Sequence, residues 1–152
     1  MKVLVQRVSR AEVRVDGRSV GRIGRGLLVF LGVERGDPPA LAQWYGRRVA
    51  AMRLFPGPGG AWELGVREAG GAVLVVSQFT LAARTRKGRR PSFDPAAPPE
   101  EAVPLYRVFI EALAAEGVSV AEGEFRAMME VELVNDGPVT FLLDGPGGTP
   151  DP

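Results

Sequence analysis

The sequence predicts an α/β domain in which two helices lie against a mixed sheet, with an early hairpin adding a second, partly barrel-like strand layer. Three observations carry this expectation. Residues 2–31 read almost wholly as strands, Leu27-Leu28-Val29-Phe30-Leu31 is apolar on both faces, and two helical stripes separate the later strands.

The first strand alternates Val3, Val5 and Arg7 against Leu4, Gln6 and Val8. Ala11–Val15 reads as a second segment, joined through Asp16-Gly17 to Ser19–Ile23. Asp-Gly accepts positive φ at both central positions, as a two-residue hairpin requires. Leu27–Leu31 is expected at the centre of the sheet, covered on both sides. Asp37-Pro38-Pro39 opens a helix to about Leu54, with Asp37 as N-cap and Leu41, Trp44, Tyr45, Val49 and Met52 along one face. After the turn-rich residues 56–60, a short strand is expected at Trp62–Val66 and a buried one at Ala72–Ser77. Residues 82–99 form a basic, proline-rich loop. A second helix, Glu100–Glu116, presents Val103, Tyr106, Phe109, Ile110 and Leu113 as its apolar stripe. Closing strands are expected near Val118–Ala121, Met128–Val134 and Val139–Leu143. One domain spans 1–144, and the Gly/Pro-rich stretch 145–152 reads as a flexible tail.

Composition narrows the chemistry. A chain of 152 residues, 45% hydrophobic and 24% charged, is sufficient for one proper core. No apolar run approaches the roughly 20 residues that cross a bilayer. The start, Met1-Lys2-Val3-Leu4-Val5-Gln6-Arg7, lacks the apolar core and cleavage site of a signal peptide, so a cytoplasmic protein is expected. Cysteine and histidine are absent. Disulfides, zinc–thiolate sites, Cys nucleophiles and Ser-His triads are thereby excluded, leaving hydroxyls, carboxylates, backbone groups or the substrate itself. Residues 1–90 carry 17 basic and 6 acidic side chains, whereas 91–152 carry 2 and 12. Such a split marks either a nucleic-acid-binding face or two halves that intermingle and neutralise each other.

Three segments stand out. Ser77-Gln78-Phe79-Thr80-Leu81 leaves a buried strand at its C-terminal edge, where backbone N–H groups can form an oxyanion hole; it also fits an ordinary strand end. Ser77 or Thr80 as nucleophile would lack a histidine base. Arg84, Arg86, Lys87, Arg89 and Arg90 follow, suited to phosphates or simply solvated. Asn135-Asp136-Gly137-Pro138-Val139-Thr140 contains the sole asparagine and reads locally as a hairpin turn. Phe125 could stack on a base or belong to the core.

Together with Gln6-Arg7-Val8, Gly26-Leu27-Leu28-Val29, Leu31-Gly32-Val33 and Lys87-Gly88-Arg89-Arg90-Pro91-Ser92-Phe93, these segments resemble the D-aminoacyl-tRNA deacylase family over nearly the whole chain. The resemblance implies a three-layer α/β/β fold with mixed, partly barrel-like sheets and two main helices. It also implies a homodimer, no cofactor or metal, and hydrolysis of the ester that joins a D-amino acid to the terminal adenosine of tRNA. Carried over, Ser77, Gln78, Phe79 and Thr80 form the catalytic segment, with backbone N–H groups near Phe79 and Thr80 as oxyanion donors. A cis Gly137-Pro138 pair, supported by Asn135, Val139 and Thr140, would reach into the partner's pocket and reject L side chains. The ribose 2′-hydroxyl would assist, which accounts for a site without histidine or cysteine. Phe125, Arg86, Lys87 and Arg90 would contact the tRNA. One departure is Arg84, where members commonly carry an acidic residue. The rival readings are a non-catalytic RNA-binding module and a Ser/Thr hydrolase of small D-amino acid esters.

Overall fold

Alternation along the N-terminal segment produces one long strand, β1 (Lys2–Val15), in the computed structural model, which describes residues 1–145. The two segments expected there are thus continuous. Their apolar phase nevertheless changes: Val3 and Val5 enter one core, while Val8, Ala11 and Val13 enter another. Val8 faces that second core by simple alternation, and a register shift between Val8 and Arg10, where β1 advances two residues against one of its partner, is a bulge that brings the odd-numbered Ala11 and Val13 to the same face. Asp16 and Gly17, with φ of 50° and 77°, turn the chain into β2 (Arg18–Ile23).

Strand β3 (Gly26–Gly32) pairs antiparallel with Lys2–Val8 of β1, and β2 takes Ala11–Val15 on the same edge. Next come β6 (Ala72–Ser77) and β7 (Ser119–Glu122), both added in parallel, giving the order β2-β1-β3-β6-β7. The other edge of β1 holds β8 (Glu130–Asp144). The sheet curls until its ends meet. Gly21 of β2 lies so close to β7 that a Cβ would sit 2.2 Å from the Glu122 carbonyl oxygen.

Two helices, α1 (Pro39–Ala51) and α2 (Pro99–Ala115), cover one face. Their Tyr45, Val49, Phe109 and Leu113 meet Val3, Val5, Leu27, Val29, Val73 and Val75, while Leu28, Leu74 and Val76 point into the curl. β3 and β6 are therefore covered on both sides. Among the described residues no helix is long and apolar enough to cross a membrane.

Several local expectations yield to tertiary contacts. Pro38, not Asp37, occupies the N-cap of α1, and the Asp37 carboxylate accepts from the Met1 amine (2.9 Å) and the Glu34 N–H (2.7 Å). The helix stops at Ala51 because Met52 is already extended, and Leu54 and Phe55 turn into the core. A hairpin follows, β4 (Phe55–Gly57) with β5 (Gly60–Leu64). Val103 faces solvent, and Ala102 and Leu105 take its place in the α2 stripe. Of the expected tail, Gly145 accepts a hydrogen bond from the Tyr45 hydroxyl (2.9 Å), and 146–152 lie outside the described residues.

The two tyrosines both resist ionisation. Burial, aided by Glu122, pushes the Tyr106 phenol up, and its hydroxyl donates to the Val75 carbonyl at 3.0 Å. Burial and then Asp144, Asp37 and Glu34 raise Tyr45. A folded pKa above the unfolded value means that this stabilisation is complete below about pH 10 and declines as pH rises beyond it. Phenolate absorbance is therefore expected to lag behind that of free tyrosine and to appear with unfolding. Ordinary titration of either tyrosine in protein with native near-UV dichroism would contradict the packing.

Candidate active site

β6 delivers Ser77 to the sheet edge. The Gln78 N–H still donates to the Leu31 carbonyl (2.8 Å), and then pairing ends. A 3-10 turn over Phe79–Ala82 follows, its first closing bond running from the Leu81 N–H to the Gln78 carbonyl (3.1 Å). The N–H groups of Phe79 and Thr80 precede that bond, so the turn offers them no partner. The Gln78 amide donates to the Thr80 hydroxyl.

Ser77, Gln78 and Phe79 line an open, largely apolar cavity of about 660 Å³. Ala102 and Tyr106 of α2 form another wall, and Phe125–Met129, between β7 and β8, closes a third. Phe125 meets Tyr106 edge-on, with centroids 5.8 Å apart. The fold thus joins Phe125 to the Ser77 segment. Thr80 stands outside the lining, linked through Gln78.

The basic loop hangs from the same rim. Arg84 and Ser92 exchange backbone hydrogen bonds of 2.8 and 2.9 Å that clamp its base, and Phe93 stacks edge-on against the exposed Phe79 at 5.2 Å. Arg84, Arg86, Lys87, Arg89 and Arg90 are all exposed, and none lines the cavity. Elsewhere the charge asymmetry is neutralised by strand pairing. Lys2 meets Asp144 (3.4 Å), Arg7 meets Asp136 (3.6 Å) and Arg14 meets Glu132 (3.1 Å), each a cation of β1 facing β8.

Asn135–Thr140 is not the expected hairpin turn. β8 continues through it, with Asn135 paired to Val8 and Thr140 to Gln6, while 136–139 have no facing residue and bulge from the ladder. β1 supplies backbone partners on either side, so the strand need not reverse. The Asn135 side chain holds the bulge: its carbonyl accepts from the Val139 N–H (2.9 Å) and its amide donates to the Thr140 hydroxyl (2.8 Å). That explains why an asparagine stands here. The Gly137–Pro138 peptide is cis, both residues are exposed while Val139 is buried, and neither lines this chain's own cavity.

Arg7, not singled out from sequence as a site residue, anchors the bulge. Its guanidinium donates to the Asp136 carbonyl (3.0 Å) and the Leu54 carbonyl (2.7 Å), and lies 5.8 Å from the Trp62 ring centroid. Its signals in the sequence were a charge within an apolar alternation and its place in the Gln6-Arg7-Val8 segment of the family resemblance. Arg7→Ala is expected to lower stability by about 2–3 kcal/mol, the scale of hydrogen bonds from a charged donor. Arg7→Lys should recover little, since an ammonium lacks the fork. Denaturant midpoints of the three proteins measure this, and an unchanged midpoint in Arg7→Ala would contradict the anchor.

The family model described as D-Tyr-tRNA(Tyr) deacylase matches residues 4–144. The chain belongs to this family. A D-aminoacyl-tRNA deacylase of Geobacter sulfurreducens is 54% identical over 144 residues, covering 95% of each protein. A solved structure titled c-Myc DNA Unwinding Element Binding Protein superposes with a TM-score of 0.88 at 38% identity, covering 96% of this chain and 99% of that one. Another, titled as a probable eukaryotic D-amino acid tRNA deacylase, shares the fold, with a TM-score of 0.80 at 17% identity over 93% of this chain and 97% of that one. Deacylation is a hydrolysis, so membership of the deacylase family makes the chain a hydrolase, with a mixed, nearly barrel-shaped sheet and two helices.

Proposed function

We propose that this deacylase hydrolyses the ester of D-aminoacyl-tRNA, and of mischarged glycyl-tRNA, to free tRNA and amino acid. The observation that carries the reading is the shared cavity: the Ser77–Phe79 exit and Phe125 line one pocket, so an ester and an adenine can be held together. Water adds to the ester carbonyl carbon, and negative charge gathers on the carbonyl oxygen. The Phe79 and Thr80 N–H groups stabilise that oxygen, and Ser77 and Gln78 shape the approach. The bond to the ribose oxygen then breaks, and that oxygen leaves protonated. With no histidine or cysteine in the chain, the adjacent 2′-hydroxyl assists the proton transfer. Arg86, Lys87 and Arg90 take backbone phosphates.

The working unit in this reading is a cytoplasmic homodimer in which Gly137-Pro138 of each copy guards the other's cavity, a cross-subunit Gly-cisPro filter held by Asn135, Val139 and Thr140. Two features support it. Gly137 and Pro138 stand exposed away from their own cavity, and the long β8, paired only with β1, exposes Val134, Phe141 and Leu142. The test incubates the protein with D-tyrosyl-tRNA, L-tyrosyl-tRNA, glycyl-tRNA and D-tyrosyl-tRNA ending in 2′-deoxyadenosine, with sedimentation to establish the dimer. Deacylation of the first and third alone is expected. Binding without deacylation would leave an RNA-binding module, and equal cleavage of the deoxy substrate would remove the hydroxyl's role.

A further inference from the structure

Arg126 occupies a left-handed backbone position that favours glycine. Glu124–Ala127 form a turn closed by the Ala127 N–H to the Glu124 carbonyl (3.2 Å), and Arg126, third in that turn, has φ of 66°. A turn with positive φ at its third residue favours glycine, because any Cβ there is strained. Apart from Asp16 in the hairpin, Arg126 is the only non-glycine residue with positive φ among those described. It also lines the cavity, next to Phe125. The acidic half, 91–152, has two basic residues, and the other, Arg107, is paired with Glu122 at 2.5 Å. Among the described residues no carboxylate lies within salt-bridge reach of Arg126.

We infer that Arg126 binds the phosphodiester of the substrate's 3′-terminal nucleotide, a contact separate from those of the basic loop. This rests on the deacylase reading above. With the terminal base against Phe125 and the ester at Ser77–Phe79, the linkage on the 5′ side of that nucleotide emerges at the cavity mouth, beside the residue that follows Phe125. A guanidinium there recognises a phosphate and leaves the ester chemistry alone. Residues held in sparsely populated backbone regions cluster at ligand sites, where the surrounding structure sustains a strain that serves function.

The substitution that tests this is Arg126→Gly, which relieves the backbone while removing the cation. It is expected to raise Tm by about 2–4 °C. It should also raise KM for D-aminoacyl-tRNA about tenfold with little change in kcat. Binding of a fluorescent ACCA tetranucleotide should lose about 0.7 from the slope of log K against log salt, the share of one single-strand phosphate. Arg126→Lys should restore most of the slope without the gain in Tm, and D-tyrosyl-adenosine, which has no phosphate, should be cleaved equally by wild type and Arg126→Gly. Unchanged ACCA binding in Arg126→Gly, an equal defect on the phosphate-free ester, or a loss confined to acidic D-amino acids would each overturn the assignment. Wild-type protein inactive on D-aminoacyl-tRNA would instead sink the deacylase reading, and the ACCA slope would still decide Arg126.

Discussion

D-Tyrosyl-tRNA is expected to lose its amino acid at least about a hundredfold faster than L-tyrosyl-tRNA, the ratio that a steric cost near 3 kcal/mol produces. In the proposed dimer the carbonyl oxygens of Gly137 and Pro138 face the substrate's α-carbon. An L side chain would have to displace fixed main-chain atoms, and compressing them costs more than losing a side-chain contact. A D side chain points away, and glycine has nothing to collide. Selection by rejection also makes the D side chain's identity unimportant, so D-tyrosine and D-aspartate esters should differ far less than D- and L-tyrosine esters. Single-turnover deacylation on matched tRNA measures both ratios. Comparable rates for the two enantiomers would sink the filter, and with it the need for a partner subunit in the pocket.

Gly26→Ala is expected to cost more than about 4 kcal/mol, an exceptional loss for one methyl group. Gly26 pairs with Ala72 where β3 and β6 run parallel, and an added Cβ would lie 1.8 Å from the Ala72 carbonyl oxygen and 2.8 Å from its carbon. Both obstacles are backbone, so no rotamer change relieves them. The strands would have to separate, which opens the doubly covered centre of the sheet and displaces the strand that delivers Ser77. A Tm decrease of about 10 °C or more should accompany it. Gly24→Ala is the control, since nothing lies within 4 Å of its Cβ position, and it should stay within about 0.5 kcal/mol. Equal denaturation midpoints for the two variants would mean that β3 and β6 are not so closely apposed.

The architecture was legible wherever one local pattern had one outcome. Leu27–Leu31, apolar on both faces, became a strand between two cores, and Asp16-Gly17 turned a hairpin because both residues take positive φ. Helix α2 lies within a residue of its expected bounds. Misreadings arose where a distant segment offered a competing partner. Asp37 could cap a helix, but the Met1 amine and the Glu34 N–H claim its carboxylate. Asp136-Gly137 carries the usual hairpin signal, yet β1 offers a ladder on either side, so the strand runs on and the four residues bulge out.

The candidate site divides along the same line. Ser77–Leu81, the basic loop and Asn135–Thr140 were recognisable in the residue order, because strand exits, glycine, proline and clustered arginines carry their conformational and charge preferences locally. Family membership, too, was readable there, since it depends on motifs in sequence. Which of these groups share a cavity was not. Phe125 reaches the Ser77 segment only because β7 is laid beside β6, and Arg7 anchors the Gly137 bulge only because β1 runs antiparallel to β8. Positive φ at Arg126 and the exposure of Gly137 and Pro138 away from their own cavity likewise follow from how the chain closes on itself. Local propensity is a property of neighbours in the chain, whereas a pocket lined from β6, α2 and the segment before β8 exists only after distant strands have paired.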